Sequence, residues 1–234
     1  MLEVNGIDVY YGSLQIIWNV SLRVESETVV LIGPNGHGKT TILKTIAGLL
    51  KPKKGSIKFN GVELTTLPTH KIVGMGITYI PQDIRLFPDM TVMENLLLGA
   101  YVADAWKNRR GRLKMVFEIF PRLNERKNQL ARSLSGGERR MLAIGRGLMS
   151  NVKVLLIDEP SCGLAPMLVK DVFEKIKELK ERMKLSMIVA EQNVRYLPEI
   201  ADRVYLIESG RVVLEGPTDE VLNSERVKET YIGM

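Results

Sequence analysis

Short β-branched runs separated by amphipathic stretches are the main hydrophobic pattern of this chain. Val29–Ile32 is an apolar run that ends at Gly33-Pro34, which is typical of a buried strand. The next apolar positions, from Thr40 to Leu50, follow helical spacing and stop before Pro52, which cannot continue a helix. Three later strand signals and one amphipathic helix follow: Val152–Ile157, Leu168–Met183, Ser186–Ala190 and Arg203–Glu208. This alternation of strands and helices predicts a parallel sheet.

Further strand signals, bounded by turn residues, lie outside this alternating pattern. Val4–Tyr10 and Ser21–Val24 lie near the amino terminus, and Ser56–Phe59 is followed by the hairpin turn Asn60-Gly61. These segments predict an antiparallel β layer beside the buried strand. A last hairpin is predicted at Ser209-Gly210.

The pattern becomes helical from Thr91 to Met149. Thr91 and Glu94 form a capping-box pattern ahead of an apolar run. Another apolar stripe has helical spacing and ends before Pro121; it comprises Leu113, Val116, Phe117 and Phe120. We therefore expect a helical region to be inserted between strands of the sheet.

The composition describes a globular chain with a mildly basic balance. Hydrophobic residues make up 45% of the 234 residues, enough for a sizeable core, and the net charge is +6. This charge suits phosphates, a nucleic acid or an anionic membrane surface, and it selects none of them. The one dense basic run is 107–112, which is interpreted as a solvated loop, with a membrane-surface contact as the alternative.

Cysteine usage and the apolar runs constrain where the protein works. Cys162 is the only cysteine, which excludes an internal disulfide and indicates a reducing cytoplasm. The amino terminus lacks the pattern of a signal peptide, and no apolar run is long enough to span a bilayer. If the protein acts in transport, we expect another chain to supply the pore.

A phosphate-binding pattern, G-x-x-x-x-G-K-[ST], follows the buried strand. It consists of Gly33, Pro34, Asn35, Gly36, His37, Gly38, Lys39 and Thr40, and Thr41 follows in the same predicted site. The glycines let backbone N–H groups surround the phosphates at the positive end of the next helix. Lys39 is predicted to reach the β- and γ-phosphates of ATP, and the Thr40 hydroxyl to bind Mg²⁺. His37 occupies a free position of the motif and is interpreted as a surface loop residue.

A second apolar strand ends in two carboxylates, Asp158 and Glu159. Many buried strands end in an acid, so this feature acquires meaning only beside the phosphate loop. Asp158 is then predicted to be the partner of Mg²⁺. Glu159 is predicted to orient the attacking water, which must lose a proton as it attacks phosphorus.

The segment Ser135, Gly136, Gly137 and Glu138 has two interpretations. Ser135 and Glu138 form a capping box, which would open an ordinary helix. Two glycines in a first turn are unfavourable for a helix, by about 1 kcal/mol each relative to alanine. They are favourable if bare amides must approach a phosphate. Because the chain has only one phosphate loop, the second interpretation predicts that this helix end binds a nucleotide held by another subunit.

On these motifs the sequence resembles an ABC-transporter nucleotide-binding subunit over essentially its whole length. The resemblance implies that Gly33–Thr40 is Walker A, that Val154–Asp158 is Walker B with Glu159 as its catalytic carboxylate, and that Leu134–Glu138 is the signature. It also implies that Gln82 is the Q-loop residue, which touches Mg²⁺. The same resemblance makes Tyr11 the aromatic residue that stacks on adenine, a contact worth about 1–3 kcal/mol.

Two departures from the wider family narrow the resemblance. Ala165 occupies a position that is usually Asp, and Gln192 occupies the switch position that is usually His. Both are similar to the second ATPase subunit of branched-chain amino acid uptake systems, and ATPases of urea and short-amide importers are the alternative. Gln192 can hydrogen-bond the γ-phosphate but cannot carry a proton away.

The resemblance implies an α/β fold with a RecA-like P-loop core, an antiparallel β layer and an inserted helical subdomain. We expect the core to span 1–84 and 151–234 and the helical subdomain 85–150 of a single ABC ATPase domain. The implied partners are a second ATP-binding subunit, the same or different, transmembrane permease subunits and, indirectly, a solute-binding protein, on the cytoplasmic face of the membrane.

Functions outside transport are less compatible with the sequence. A DNA-repair ATPase of this family carries a long coiled coil or zinc module before the signature, and Gln82 to Ser135 is too short for one. The guanine-binding pattern of a GTPase does not occur. We therefore expect no nucleic-acid partner. A non-catalytic scaffold is the remaining alternative, against which Glu159 argues.

Overall fold

A computed structural model describes residues 1–229 of the chain. The strands are β1 (Leu2–Tyr11), β2 (Leu14–Val24), β3 (Thr28–Ile32), β4 (Lys54–Phe59), β5 (Val62–Glu63), β6 (Ile77–Ile80), β7 (Val154–Asp158), β8 (Ser186–Glu191), β9 (Arg203–Glu208) and β10 (Arg211–Pro217). The helices are α1 (Lys39–Ile46), α2 (Thr69–Gly74), α3 (Val92–Leu98), α4 (Ala103–Lys107), α5 (Arg109–Ile119), α6 (Pro121–Glu125), α7 (Gly136–Leu148), α8 (Pro166–Met183), α9 (Leu197–Ile200), α10 (Thr218–Asn223) and α11 (Glu225–Val227).

Two sheets form the framework of the fold. The six-stranded sheet has the order β10-β9-β3-β8-β7-β6, in which only β10 is antiparallel to its neighbour. The four-stranded sheet, β2-β1-β4-β5, is antiparallel throughout. The parallel sheet, the antiparallel layer and the hairpin at Ser209-Gly210 are therefore confirmed, and the predicted α/β fold class is correct.

The core lies on both faces of the six-stranded sheet. Successive residues of β3 point to opposite faces. Val29 and Leu31 pack with α1 and the antiparallel layer, whereas Val30 and Ile32 pack with the helices on the other side. Burial on both faces explains why β3 is apolar at every position except Thr28.

Helices α3 to α7 lie in sequence between β6 and β7, which are adjacent parallel strands of the sheet. Their apolar side chains join the same core cluster as Val30 and Ile32, so this helical segment packs directly on the sheet. The capping box at its start is present: Thr91 Oγ1 accepts a hydrogen bond from the Glu94 N–H at 3.1 Å.

The first predicted helix is shorter than the sequence pattern suggests. The pattern extends from Thr40 to Leu50, but α1 ends at Ile46. The chain turns at Gly48, which has a φ of +74° and packs against Ile72. A glycine in the left-handed conformation ends helices because it lacks a Cβ to clash. Beyond Ile46 the chain is not helical: Ala47 is buried, Leu50 is partly buried, and Leu49 is exposed.

The prediction that 107–112 forms a solvated loop is wrong. Lys107 ends α4 and 109–112 are the first turn of α5, so only Asn108 separates two helices. Arginine and lysine are good helix formers, and α5 continues into the apolar stripe that includes Val116. The charges therefore lie on a helical surface.

The boundary of another predicted strand also differs from the observed one. The strand predicted at Ser21–Val24 is the end of the longer β2. The first half of β2 lacks regular alternation of buried and exposed residues, so its sequence pattern predicts a strand less clearly. The helix that carries the stripe before Pro121 ends at Ile119, as expected, and Pro121 opens the separate helix α6, since proline is tolerated in the first turn of a helix. No helix among residues 1–229 is both long and apolar enough to cross a membrane.

Candidate nucleotide-binding and hydrolysis site

The phosphate loop connects β3 to α1 and is held by close backbone packing. A Cβ on Gly33 would lie 2.1 Å from the carbonyl oxygen of Ile207 in the neighbouring strand β9. Gly38, at φ +104°, leaves no room either, because a Cβ would meet the Ile17 side chain at 2.5 Å. No side chain caps α1 within the described residues, so its first amides are available to an anion.

Lys39 lies inside this loop with its ammonium group buried. Nζ donates to the carbonyl oxygens of Gly33 at 2.7 Å and Pro34 at 3.1 Å, and it is 3.8 Å from a Glu159 carboxylate oxygen. Burial lowers the pKa of Lys39, and the neighbouring carboxylates oppose this shift. A buried cation in a concave ring of backbone is an arrangement that suits a phosphate group.

Thr40 and Asp158 meet where the phosphate loop faces the end of β7. Thr40 Oγ1 donates to Asp158 Oδ1 at 2.9 Å, and the Tyr79 hydroxyl donates to Asp158 Oδ2 at 2.8 Å. Burial raises the pKa of Asp158, while these two hydrogen bonds and nearby lysines lower it. A hydroxyl and a carboxylate side by side are hard oxygen ligands of the kind that Mg²⁺ prefers, so these residues fit the metal.

Tyr79 is a site residue that the sequence analysis missed. It lies in β6, the strand next to β7, and its phenol orients the buried Asp158. Burial, with the adjacent carboxylate, raises the pKa of Tyr79 well above its usual range, so its hydroxyl remains a donor at neutral pH. The sequence signal was weak: an aromatic residue in a strand three positions before Gln82 is ordinary.

Glu159 follows β7 with a backbone φ of +45°. This left-handed conformation is unfavourable for glutamate and is held by the Glu159 N–H, which donates to the Ala190 carbonyl at 2.9 Å. The Gln82 side-chain amide donates to Glu159 Oε2 at 2.9 Å. Burial raises the pKa of Glu159 and the Lys39 cation lowers it. The structure therefore brings Gln82, Lys39 and Glu159 together.

Arg140 is a second missed residue, and it connects the predicted signature helix to this cluster. It lies in α7 with its side chain fully buried. Its guanidinium donates to the carbonyl oxygens of Gln82 at 3.1 Å and Cys162 at 3.3 Å. Burial lowers the pKa of Arg140 from its very high usual value. One helix thus holds both the segment with Gln82 and the loop after Glu159.

Glu191 is the third missed residue. Its carboxylate is buried at the end of β8 and accepts three backbone N–H bonds, from Ser161 at 2.9 Å, Gln192 at 2.7 Å and Asn193 at 3.0 Å. Multiple N–H donors stabilise a buried carboxylate. Glu191 thereby joins the loop that follows Glu159 to the loop that carries Gln192.

Gln192 is exposed at the carboxyl end of β8, where sequence analysis predicted it. It lines a cleft of about 300 Å³ together with Asn35 of the phosphate loop and Glu159. In open α/β sheets, ligands bind beyond the carboxyl ends of the strands. The Gln192 side chain is therefore positioned at the edge of the cleft that contains the strand-end carboxylates.

Residues 135–138 do not belong to this cleft. They open α7 with a complete capping box, in which Ser135 Oγ accepts from the Glu138 N–H at 3.3 Å and Glu138 accepts from the Ser135 N–H at 2.9 Å. Gly137 also has a packing reason, since a Cβ there would meet the Leu168 side chain at 3.2 Å. Both interpretations of the segment remain compatible with this geometry.

Tyr11 and His37 lie on different elements: Tyr11 is in the antiparallel layer, and His37 is in the phosphate loop. Tyr11 ends β1 and is 46% exposed, on the layer whose strand β2 packs against Gly38. His37 is fixed rather than loose: its Nδ1 accepts from the Ser209 N–H at 3.1 Å, and its carbonyl accepts from the Gly210 N–H at 3.0 Å. His37 therefore attaches the phosphate loop to the last hairpin.

The fold and these motifs match those of a known family. The family model for ABC transporters matches residues 17–162, more than half of the chain. The chain belongs to the ABC transporter family, as an ATP-binding and ATP-hydrolysing cassette.

Particular relatives resemble the whole chain. The chain is 41% identical over 234 residues to the high-affinity branched-chain amino acid transport ATP-binding protein BraG of Pseudomonas aeruginosa, covering 100% of both chains. It is 36% identical to a probable branched-chain amino acid transport ATP-binding protein LivF of Archaeoglobus fulgidus, covering 100% and 99%. The solved ADP conformation of the cassette MJ1267 superposes with a TM-score of 0.84 at 28% identity, covering 100% and 99%.

Proposed function

We propose that this chain is the ATP-hydrolysing subunit that powers an importer of branched-chain amino acids. The convergence of Lys39, Glu159 and the Thr40–Asp158 pair supports hydrolysis of Mg-ATP. The full-length identity of 41% to a branched-chain amino acid transport ATP-binding protein supports the substrate class. An importer of urea or a short amide is the alternative.

Each residue of the site has a separate role in ATP binding and hydrolysis. Lys39 and the loop amides bind the phosphates of ATP, and Tyr11 stacks on adenine. Thr40 would hold Mg²⁺, with Asp158 and Gln82 beside it, and the metal supplies charge neutralisation at the β- and γ-phosphates. Glu159 orients the attacking water and accepts its proton, aided by a pKa that burial raises.

A second ATP-binding subunit, the same or different, would complete each site. The start of α7 lies outside the chain's own cleft, and its capping box uses the amides of Ser135 and Glu138 but not those of Gly136 and Gly137, which supports a role toward a nucleotide bound to the partner. Two cassettes would close around two ATP molecules and reopen after hydrolysis. The helical subdomain at 85–150, which contains the signature, would move together with the loop around Gln82, because Arg140 links α7 to that loop.

Transmembrane permease subunits would receive this motion at the cytoplasmic face of the membrane. A solute-binding protein would be an indirect partner. An open groove of about 450 Å³, here called the lobe groove, is lined by residues that include Tyr79, Phe87, Leu98, Tyr101 and Ser150. The buried side chain of Asn95 holds this region by two hydrogen bonds of 3.0 Å to the Phe87 backbone. We assign the permease contact to the lobe groove.

Uptake by a reconstituted system tests this function. Proteoliposomes would contain this chain, its membrane subunits and the second ATP-binding subunit, with ATP inside and the solute-binding protein outside. We expect radiolabelled leucine to accumulate and urea not to, with accumulation lost in a Glu159→Gln complex. Accumulation of urea without leucine would show that the substrate assignment is wrong. ATP hydrolysis without uptake of either solute would contradict the importer assignment.

Replacing Gln192 tests its role at the γ-phosphate. A hydrogen bond to a charged group is worth about 1.5–3 kcal/mol, so Gln192→Ala should slow hydrolysis by about ten- to a hundredfold. Gln192→His should retain much activity but add a pH dependence near about 6.5, the usual imidazole pKa. Steady-state rates between mildly acid and mildly alkaline pH measure both effects. Wild-type rates for Gln192→Ala across that range would remove the residue from the site.

Replacing Glu191 tests the connection between the two loops. Glu191→Gln presents an amide NH₂ to backbone N–H groups that now meet a carboxylate, so at least one buried hydrogen bond is lost. We expect hydrolysis to fall by about tenfold or more, while ATP binding at Lys39 is retained. Glu199→Gln, a surface change in α9, is the matched control. Equal hydrolysis rates for the two variants would contradict this role.

A further inference from the structure

The outer surface of α4 and α5 concentrates positive charge. Five cations lie between residues 107 and 114: Lys107, Arg109, Arg110, Arg112 and Lys114. Among residues 1–229, none of the five forms an ion pair with a carboxylate. Lys107, Arg110 and Lys114 are exposed, so their charge is available to an anionic partner, whereas Arg112 is partly buried and donates to the protein itself.

A shallow groove on the same helix combines charge with apolar surface. It has a volume of about 530 Å³ and contains one carboxylate, Glu118. Its apolar lining comes from Met93, Leu113 and Phe117, and its cations are Arg110, Lys114 and Lys127. The spacing of 110, 113, 114 and 117 places these α5 residues on one helical face. An apolar floor with a cationic rim suits an anionic amphiphile.

An exposed tryptophan extends this surface. Trp106 is 48% exposed, and the Arg109 guanidinium lies 4.2 Å from its ring centroid. Arg109 also donates to the Trp106 carbonyl at 2.8 Å, which fixes the pair. Indole and guanidinium groups are both favourable at the boundary between lipid headgroups and water.

Arg112 lies on the face of α5 opposite to 110, 113, 114 and 117, and its contacts connect the helix to the lobe groove. Arg112 donates to the Ser150 carbonyl at 2.5 Å and to Asn151 Oδ1 at 2.9 Å. Ser150 lines the lobe groove, and so does Tyr101, which is 61% exposed and precedes α4. If permease subunits occupy the lobe groove, α4 and α5 lie beside those subunits, and the opposite face of α5 is left for another partner.

We propose that the surface formed by Trp106, Lys107, Arg109, Arg110, Lys114 and Lys127 binds anionic phospholipid headgroups of the membrane surface. The cations contact lipid phosphates, while Trp106, Leu113 and Phe117 enter the interfacial layer. The position of this surface rests on the proposed function, but its affinity for lipid is a property of the chain alone. A lipid is favoured over an acidic protein segment or an RNA because Met93 and Leu113 add an aliphatic floor, which acyl chains match and nucleotides or carboxylates do not.

Vesicle sedimentation tests the charge requirement. Wild-type protein should sediment with vesicles of phosphatidylcholine mixed with phosphatidylglycerol, not with phosphatidylcholine alone, and high salt should release it. The variant Arg110→Gln/Lys114→Gln/Lys127→Gln should bind roughly a hundredfold more weakly. The matched control Lys54→Gln/Lys58→Gln/Lys170→Gln removes the same charge elsewhere and should change binding little.

Trp106 itself reports the contact. The chain has two tryptophans, so in a Trp18→Phe protein the emission comes from Trp106 alone. Anionic vesicles should shift this emission to shorter wavelength. Equal binding of the triple variant and its control, or an unshifted emission with sedimenting vesicles, would overturn the proposal. So would a single-stranded RNA that displaces the protein from the vesicles and binds more tightly than they do.

The same proteins separate this inference from the proposed function. ATP hydrolysis by the triple variant in detergent should equal that of wild type, because its three residues lie outside the nucleotide site. If the wild-type protein hydrolyses ATP and supports uptake but does not bind the vesicles, the lipid contact alone would be overturned. Absence of hydrolysis in wild-type protein that still binds vesicles would overturn the proposed function alone.

Discussion

Replacing Lys39 with alanine should abolish ATP binding by the isolated chain, whereas Ser135→Arg should leave binding intact and block turnover. The Lys39 ammonium is buried inside the phosphate loop, so its removal leaves the phosphates without their principal cation. We expect binding to weaken by at least about a hundredfold, as for the loss of charged hydrogen bonds. Ser135 opens α7 outside the cleft, and an arginine there would obstruct only a nucleotide held by a partner.

Equilibrium binding of a fluorescent ATP analogue to monomeric protein distinguishes the two effects. Lys54→Ala, an exposed change in β4, controls for general loss of positive charge. Ser135→Ala controls for loss of the capping box, which costs about 1 kcal/mol of stability without adding bulk. If Ser135→Arg weakened monomer binding as severely as Lys39→Ala does, the assignment of α7 to the partner's nucleotide would be wrong.

Replacing Glu159 with glutamine should separate ATP binding from hydrolysis. The amide keeps the shape of the side chain but cannot accept the proton of the attacking water, a loss of about 10²–10⁴-fold in rate. It also removes a negative charge that would face the γ-phosphate. Because burial raises the pKa of Glu159, a neutral group is well tolerated at this position, and the fold should be retained.

ATP should therefore hold the Glu159→Gln protein in a dimer that size-exclusion chromatography or sedimentation detects. Glu174→Gln, an exposed change in α8, is the matched control and should hydrolyse ATP at the wild-type rate. A Glu159→Gln protein that stays monomeric with ATP, and turns over near the wild-type rate with its partner subunit, would contradict the role of this carboxylate.

The sheet and the positions of the motifs could be predicted because both depend on local patterns. Val29–Ile32 is apolar throughout because it is buried on both faces of the sheet, and the phosphate loop needs glycines where backbones approach. The sequence pattern predicts the end of α1 too late because apolar residues continue with helical spacing to Ala47 and Leu50, past the turn at Gly48.

The supporting residues of the site could not be found from the sequence. Tyr79, Arg140 and Glu191 lie far apart in the chain, and each matters because of a partner on another element. A strand-end glutamate such as Glu191 resembles Glu159 in sequence. Only the fold shows that the Glu191 carboxylate accepts hydrogen bonds from three backbone amides and so has a structural role.

The rate of ATP hydrolysis per molecule, measured against protein concentration, tests the central claim most directly. A nucleotide site completed by a second subunit is formed only on association, so the rate per molecule should rise with the concentration of this chain or of its paired subunit and then reach a plateau. Lys39→Ala protein should show no such rise. A rate per molecule that stays constant down to the lowest dilution, in protein shown to be monomeric, would mean that one chain hydrolyses ATP alone and would contradict the account.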